Sequence, residues 1–369
     1  MSSLNRPQQN LQGWESRAAR RAPRGGALLA LPFQVTTILT QGENVCASNF
    51  DAIVVRENCK PDLIRNRCEE NVVGIIYIEN SGGNAIENIC CGNGDTGISV
   101  QGNCKPDLIR NRCEGNNYAG IDYYDDSGGS AMENVCNDND TGIWLLDNSK
   151  PDLIQNTCEK NSSGIEYSEN SGGSAIGNIC SDNKDNGIEV YDNCKPDLIR
   201  NRCNGNNKWG ISYSDNSGGN ALENACNSNK WNGISLYGDC KPELVRNSCE
   251  ENNNGISYLG DSGGSALENI CNNSKRAGIV VANNSKPDLM RNRCEGNTYD
   301  GISYLNFSGG VASGNICKEN NLSGIGVSGN SSPSLEKNIC SNNRSGYGFS
   351  IRTKHKISMV DNVGDIKFR

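Results

Sequence analysis

Apolar residues in this chain alternate with polar ones over short segments, and the segments recur every 22 or 23 residues. In the stretch Asn103–Asn134, Ile121 and Tyr123 fall on one face of such a segment, and Asp122 and Tyr124 fall on the other. Alternation with period two predicts β-strands. Repeats of about 20 to 50 residues are typical of solenoids, propellers and arrays. The pattern therefore favours a β-solenoid.

Two short motifs mark each repeat. The first is Asn-x-Cys, whose cysteines are Cys46, Cys68, Cys90, Cys113, Cys136, Cys158, Cys180, Cys203, Cys226, Cys249, Cys271, Cys294, Cys317 and Cys340. The second is Gly-Ile, which opens the strand-like segment in nearly every repeat. Gly, Asn and Asp between the segments are turn residues. The expected fold is all-β: a single β-solenoid of about 14 coils with 22–23 residues per coil.

The inward positions of the coils also follow a pattern. The second inward residue after Gly alternates between tyrosine and a smaller aliphatic residue, as Tyr123, Leu145 and Tyr167 show. Large and small residues in neighbouring layers are a packing solution for a stacked core. On the strand before each Asn-x-Cys motif, Ile109 is expected to share the inward face with Asn111. Leu108 breaks strict alternation, which predicts a bend near it.

The repeat divides the chain into three parts. Residues 1–40 are expected to be a disordered basic segment followed by an N-terminal cap, residues 41–345 the β-helix, and residues 346–369 a C-terminal cap over its open edge. An alternative takes the arginine-rich start and the apolar run Ala27–Leu39 as a targeting peptide.

Composition and charge narrow the function. The net charge is −8, and basic residues are interleaved with acids, which argues against nucleic-acid binding. No apolar stretch is long enough for a membrane span. The 19 cysteines are odd in number and mostly periodic, so they are expected to be free, buried thiols in a reducing, cytoplasmic compartment. The only histidine is His355, and neither a metal site nor a cofactor site is expected.

Regular polar columns have a structural explanation. Asparagines two residues before and three residues after each ladder cysteine can hydrogen-bond from coil to coil, with one exception at Ser274. Arginine and glutamate alternate just before the Asn-x-Cys asparagine, as in Glu87, Arg110 and Glu133, and can pair between coils.

The outward face of the Gly-Ile strands repeats least, and it contains the candidate site. Successive coils place Asp122, Trp144, Glu166 and Glu189 in one outward column, with Tyr124 and Tyr191 in the next. Glu166 and Glu189 are the candidate catalytic pair, because neighbouring coils bring carboxylates near the separation used by retaining glycosidases. Aromatic rings beside carboxylates also suit sugar or peptide binding alone. An ordinary solvated sheet face is the third possibility.

The double-coil unit KPDLIRNRCEGNNYAGIDYYDDSGGSAMENVCNDNDTGIWL resembles the right-handed parallel β-helix repeats of the pectin-lyase-like superfamily, which implies that the solenoid is a single right-handed parallel β-helix. Within that superfamily it is most similar to the carbohydrate-binding and sugar-hydrolase (CASH) type found in the substrate-binding region of a β-helical F-box-only protein. The resemblance covers about residues 44–345 and implies the fold. The calcium-binding aspartates of pectate lyases and the Gly-His-Gly of polygalacturonases have no counterpart here.

Two functions remain open from the sequence. The first is a non-catalytic β-helical binding or interaction scaffold with a polysaccharide or protein ligand on the outer sheet face. The alternative is a polysaccharide-active enzyme, a glycoside hydrolase or a lyase, that uses the outward carboxylates.

Overall fold

A computed structural model of the protein describes residues 33–35 and 41–368. Every strand pairing in this part of the chain is parallel, and its secondary structure consists of strands and turns without a helix. The chain winds as a β-helix whose coils have three sides. The predicted all-β class, the parallel β-helix and the number of about 14 coils are therefore confirmed.

The first side of the coils is a 16-stranded sheet, here called sheet one. Its strands are β1 (Phe33–Val35), β4 (Asp51–Val55), β7 (Val73–Tyr77), β9 (Ile98–Val100), β11 (Ala119–Tyr123), β13 (Thr141–Leu145), β15 (Ser163–Tyr167), β17 (Ile188–Val190), β19 (Ile211–Tyr213), β21 (Asn232–Tyr237), β23 (Asn254–Leu259), β25 (Ile279–Ala282), β27 (Ile302–Leu305), β29 (Ile325–Ser328), β31 (Phe349–Arg352) and β33 (Ile366–Phe368).

The second side is a 15-stranded sheet, here called sheet two. Its strands are β2 (Gln41–Gly42), β5 (Asp62–Ile64), β8 (Gly82–Ile86), β10 (Lys105–Ile109), β12 (Ser130–Met132), β14 (Asp152–Ile154), β16 (Ser174–Ile176), β18 (Asp197–Ile199), β20 (Asn220–Leu222), β22 (Glu243–Val245), β24 (Ser265–Leu267), β26 (Asp288–Met290), β28 (Val311–Ser313), β30 (Ser334–Glu336) and β32 (Ser358–Val360).

The third side carries the Asn-x-Cys motifs. It starts as a pair of strands, β3 (Val45–Ala47) and β6 (Arg67–Glu69), and continues as single bridges from coil to coil up to Ile339 and Val363. Each coil of 22 or 23 residues thus contributes one strand or bridge to each side.

The core is a set of stacked columns, as the alternation predicts. Ile121 and Tyr123 of β11 are fully buried and lie in register with Ile143 and Leu145 of β13. The tyrosine column alternates with smaller aliphatic residues through the whole stack. On sheet two, leucine and alanine alternate in the same way, as Leu153 and its neighbours show.

Glycine is required in the Gly-Ile motif by the close approach of consecutive coils. A Cβ atom at Gly142 would lie 2.5 Å from the Gly164 carbonyl oxygen and 2.8 Å from Cβ of Cys158. It would also meet the side-chain amide of Asn161 at 2.9 Å. Since these distances are shorter than van der Waals contacts, only glycine lets the backbone pass over the cysteine and asparagine of the next coil.

One predicted face was wrong. Ile109 was expected to point inward, but Leu108 is the fully buried residue of β10 and Ile109 is only half-buried. The backbone of Arg110 adopts a φ of 52°, in the left-handed region. This turn shifts the alternation of inward and outward side chains by one residue before Asn111. The bend expected near Leu108 is thus two residues further along.

Asparagine ladders hold the turns together. Asn156 accepts hydrogen bonds from the backbone and side-chain nitrogens of Asn134, both at 2.9 Å, and donates to the carbonyl of Ala131 at 2.8 Å. The first ladder continues unbroken from Asn44 to Asn362. Such contacts satisfy buried backbone groups that the turns would otherwise leave unpaired.

The ladder cysteines are free thiols, and all but Cys46 are buried. A second buried column, which the sequence reading missed, contains Cys59, Cys104, Cys194 and Cys240 at positions where other coils have serine. The Cys104 thiol lies 3.4 Å from the Ser81 hydroxyl. Because serine and cysteine are nearly isosteric, either one fits this column.

The structure of the chain ends can be compared with the predicted N-terminal segment and the two predicted caps. Most of residues 1–40, the expected disordered segment and cap, lie outside the described residues, although β1 pairs with β4 in sheet one. Residues 346–368, the expected C-terminal cap, add β31, β32 and β33 to the two sheets. The boundaries between cap and helix stay a prediction.

Candidate functional site

The residues singled out on the Gly-Ile strands form one continuous surface. Asp122, Trp144, Glu166 and Glu189 are consecutive register partners across β11, β13, β15 and β17. Together with Tyr124 and Tyr191 at the ends of their strands, they are called the outer strip below. Neighbouring members are one strand spacing apart, about 4.8 Å.

The outer strip is packed more closely than an ordinary solvated face. Only 1% of Asp122 and 4% of Glu166 is exposed, although both side chains lie on the outward face of sheet one. Trp144 and Glu189 are half-buried. The Trp144 ring packs edge-on against Tyr118, with ring centroids 5.1 Å apart. Side chains of neighbouring coils thus cover the carboxylates from the sides.

Each carboxylate in the strip accepts a hydrogen bond from a hydroxyl of the preceding coil. Thr96 donates to Asp122 at 3.1 Å, Thr141 to Glu166 at 3.3 Å, and Ser163 to Glu189 at 3.4 Å. The donors occupy equivalent positions, just before the Gly of each Gly-Ile motif. A pattern that recurs three times fixes the orientation of three carboxylates along one line.

Tyr191 gives Glu166 a second donor. Its phenol donates to Oε1 of Glu166 at 2.5 Å, while Thr141 donates to Oε2. Burial raises the pKa of the Tyr191 phenol well above its ordinary value, and the charge of the Glu166 carboxylate raises it further. The phenol therefore keeps its proton, and both oxygens of Glu166 are held by hydroxyl groups.

An acidic column borders the outer strip along the turns that follow these strands. It consists of Asp125, Asp147, Glu169, Asp192 and Asp215, one residue per coil. A hydrogen bond with Asp147 is the main cause that raises the pKa of Glu169 to about 7, followed by burial and the charge of the neighbouring acids. Burial and the charge of Asp215 raise the pKa of Asp192. The column is thus a line of interacting negative charges.

Aromatic residues extend the surface past Glu189. Trp209 and Trp231, one coil apart, form an edge-to-face pair with ring centroids 5.5 Å apart, and 48% of Trp231 is exposed. Lys208, next to this pair, forms an ion pair with Asp185 at 3.0 Å. Trp209 and Trp231 precede β19 and β21, so the pair lies at the end of the outer strip.

Sequence reasoning found the members of the strip but missed what holds them. The hydroxyl donors could have been found by reading the column before each Gly, which contains Thr96, Thr141 and Ser163. The same column contains Asn186, which is 3% exposed and whose Oδ1 accepts no hydrogen bond from the described residues.

The clearest grooves lie at another corner of the coils. Cavities of about 770 and 540 Å³ occupy notches above Gly263–Gly264 and Gly172–Gly173, each between two lysines of the Lys-Pro turns. Two lysines line the first notch with three acids and the second with two acids, so neither notch is lined by charges of a single sign.

Two features are absent from residues 33–35 and 41–368. No group of three or more His, Cys, Asp and Glu side chains in these segments is placed to hold a metal ion. Over the same segments, no helix is long and apolar enough to cross a membrane.

The sequence matches the family model described as "Right handed beta helix region" at residues 33–149, 123–249 and 232–364. No curated protein matches it significantly. Among solved structures, the periplasmic alginate epimerase AlgG is similar, with a TM-score of 0.52, 15% identity, and coverage of 80% of this chain and 77% of that chain. A point mutant of that enzyme has a TM-score of 0.51 and 14% identity, and the match covers 86% of this chain and 77% of that chain. The A-module of the Azotobacter vinelandii mannuronan C-5 epimerase AlgE4 has a TM-score of 0.37 and 11% identity, and the match covers 87% of both chains.

These comparisons correct the expected compartment. The cytoplasmic location inferred from the free thiols is wrong, because the similar alginate epimerase is described as periplasmic. The physical reason is that the thiols on which the inference rested are buried between coils. A thiol without access to oxidants or to a second movable thiol does not report the redox state of its surroundings.

Proposed function

The chain belongs to the right-handed β-helix family, and from this premise we propose that it is a polysaccharide-active enzyme, a glycoside hydrolase whose substrate lies along the outer strip. One observation carries the proposal: Glu166 and Glu189 are register partners in one outward column, and two hydroxyl donors fix Glu166. The similar structures are those of an alginate epimerase and its point mutant, which supports a polysaccharide as the substrate.

The geometry suits a retaining reaction. Retaining glycosidases place their two carboxyl groups about 5 to 5.5 Å apart, close to the spacing of neighbouring strands. Glu166, oriented by Tyr191 and Thr141, attacks the anomeric carbon while the glycosidic C–O bond breaks. Glu189, which is more exposed, protonates the leaving oxygen. Glu189 then takes a proton from water, whose oxygen displaces Glu166 from the sugar.

Charge favours hydrolysis over a lyase reaction on a uronate. A lyase needs a positive group to neutralise the substrate carboxylate as a proton leaves the neighbouring carbon. The outward positions of β9 to β19 contain three carboxylates and neither lysine nor arginine. The strip would repel a uronate rather than stabilise its reaction.

A non-catalytic carbohydrate-binding scaffold is the second candidate. The near-complete burial of Asp122 and Glu166 favours it, because a carboxylate covered by its neighbours and already hydrogen-bonded can serve packing. The aromatic pairs at both ends of the strip would stack on sugar rings in either case. Protein ligands on this face, and the finer similarity to CASH-type repeats, also remain proposals.

Release of reducing ends from a panel of neutral, acidic and amino glycans separates the two candidates. The enzyme proposal predicts that Glu166→Gln and Glu189→Gln each abolish turnover of the active glycan while thermal melting is preserved. Glu159→Gln is the matched control, because Glu159 precedes the second asparagine ladder on the other side of the coil. Binding without turnover by the wild-type protein leaves the scaffold, and neither binding nor turnover on the whole panel refutes both candidates.

A further inference from the structure

Sheet two has an unbroken column of aliphatic side chains on its outward face, here called the aliphatic column. It runs through eleven consecutive strands, from Ile64 of β5 to Met290 of β26, and every member is Ile, Leu, Met or Val. All members are half-buried. The strand register stacks them directly on one another, so their sides are covered and their outer ends remain exposed.

The outward columns on the other two sides of the coils are mixed in character. Sheet one has Asp122 and Trp144 in neighbouring strands, and the third side has Ile89 next to Arg112. A long, contiguous apolar surface is uncommon on a soluble monomer and marks an interaction site. The aliphatic column is therefore a surface that another molecule is expected to cover.

A charged column borders the aliphatic column where each strand of sheet two ends. Arginine and glutamate alternate in four consecutive coils from Arg65 and in four more from Arg200. The neutral Gln155 and Gly177 separate these two runs. If a second copy is turned end for end about the step between Gln155 and Gly177, Arg65 meets Glu268 and every other arginine of the two runs also faces a glutamate. The charged column is thus complementary to itself in an antiparallel arrangement.

The opposite flank of the aliphatic column matches in the same orientation. There, an acid in one strand alternates with serine or asparagine in the next, as register partners Asp152 and Ser174 show. The end-for-end copy places Ser174 opposite Asp152, so carboxylates meet small polar residues. Lys150 faces Gly172 of the second copy, in the notch of about 540 Å³ that also contains the acids Asp152 and Asp197. A long basic side chain thus meets glycine beside acids.

The balance of charge identifies the class of partner. Arg110 forms an ion pair with Glu87 at 3.3 Å, and Arg246 forms one with Glu223 at 2.9 Å. Since both signs alternate along the charged column, the surface lacks the basic excess that a membrane or a nucleic acid would require. A protein surface with the reversed order of charges fits, and a second copy of this chain has that order.

The area is sufficient for a stable dimer. The antiparallel overlap covers the ten strands of sheet two from β5 to β24. Ten strands about 4.8 Å apart and six residues across, at about 3.3 Å per residue, give a face of roughly 800 Å² on each copy. The two faces together bury roughly 1,600 Å², which is the standard size of a specific protein interface.

We propose that two copies of this chain form an antiparallel dimer through the outward faces of sheet two, with the two-fold axis between Ile154 and Ile176. Each contact then occurs twice, as in any isologous interface. The inference goes beyond the proposed function and does not depend on it, because the outer strip lies on sheet one and stays accessible in the dimer.

Sedimentation equilibrium and lysine crosslinking of the full chain test the proposal. The protein should sediment with twice the chain mass of 39.7 kDa. Lys60 and Lys241 flank strands of one chain, β5 and β22, that are eight spacings or about 38 Å apart, beyond the reach of a short crosslinker. The antiparallel dimer brings Lys60 beside Lys241 and Lys286 of the second copy. Mass spectrometry should therefore find both crosslinks in the dimer.

One substitution and a matched control show whether the aliphatic column forms the interface. Ile176→Glu places a carboxylate opposite Ile154 of the second copy, twice per dimer, and should raise the dissociation constant about 100-fold or more. The control is Ile179→Glu, because Ile179 is also half-buried and lies in the same coil on the third side. The control should leave the dissociation constant unchanged.

The possible results are distinct. A monomer at every concentration, or a dimer without crosslinks from Lys60 to Lys241 or Lys286, overturns the proposal. An equal effect of the two substitutions also overturns the role of the aliphatic column. The crosslinks of the wild-type protein decide the question if Ile176→Glu does not fold. None of these results bears on glycan turnover, which tests the proposed function separately.

Discussion

The second asparagine ladder contains one natural defect, at Ser274. In the coil before it, the Asn229 backbone amide donates to the side chain of Asn252 at 2.8 Å, as the repeat requires. The Asn252 amide has no such acceptor among the described residues, because the serine side chain is too short. The Ser274 hydroxyl is itself 1% exposed and without a partner in the same part of the chain.

Replacing Ser274 with asparagine should repair the ladder and stabilise the protein. The new Oδ1 would accept from the Asn252 amide, and the orphaned hydroxyl would disappear. Each buried unsatisfied group costs about 1–3 kcal/mol, and fixing a longer side chain offsets part of the gain, so we expect a net gain of about 2 kcal/mol. Asn252 and Asn297 occupy the same position in the neighbouring coils, which shows that the column accommodates asparagine.

Hydrogen exchange of the Asn252 amide is the most direct assay, because a stack of coils can open locally rather than in one step. A gain of about 2 kcal/mol slows this exchange about 30-fold and raises the denaturation midpoint. Ser332→Asn, at an exposed position, is the matched control and should change neither quantity. Unchanged exchange at Asn252, or a lower midpoint, would show that the ladder does not stabilise the turns as argued.

Three further predictions concern buried and charged groups. The Tyr167 hydroxyl is fully buried and has no hydrogen-bond partner in the described residues. Tyr167→Phe should therefore leave the calorimetric melting temperature unchanged or raise it. A loss of more than about 1 kcal/mol in the free energy of unfolding would reveal a hydrogen bond. Burial raises the pKa of ladder thiols such as Cys113, and a protonated, covered thiol reacts slowly. Mass spectrometry after mild thiol labelling of the native protein should therefore find the half-buried Cys91 modified and Cys113 intact. Rapid labelling of the ladder cysteines would contradict their burial. The folded pKa of Glu169, about 7 against an ordinary 4.5, means that its protonated form stabilises the fold below about pH 4.5 and that this contribution is lost as pH rises through 7. Glu169→Gln should therefore flatten the stability profile between these values and raise stability above pH 7, and a profile like that of the wild-type protein would contradict the coupling to Asp147.

The fold could be predicted because the sequence repeats its own restraints. Inward Ile121, the cysteine ladder and the Gly-Ile glycine recur in coil after coil, and a one-residue shift in register would turn every inward side chain outward. The prediction for Ile109 was wrong because alternation alone does not show where a residue with positive φ, such as Arg110, shifts the order of inward and outward side chains.

The candidate site could be predicted only in part. Asp122, Trp144, Glu166 and Glu189 were grouped correctly, since strand register follows from the period. Their burial was not foreseen, because it depends on how far Tyr191 and Trp144 reach over the neighbouring coils. The hydrogen bond from Tyr191 to Glu166 joins residues 25 positions apart in different columns, which no single column of the repeat displays.

A crystal structure of the protein with a bound oligosaccharide tests the central claim most directly. The ligand should lie along the outward face of β11 to β19, over Trp144 and Glu189. Density in the notches between the lysines, such as the one above Gly263, with an empty outer strip would contradict the assignment of function to this face.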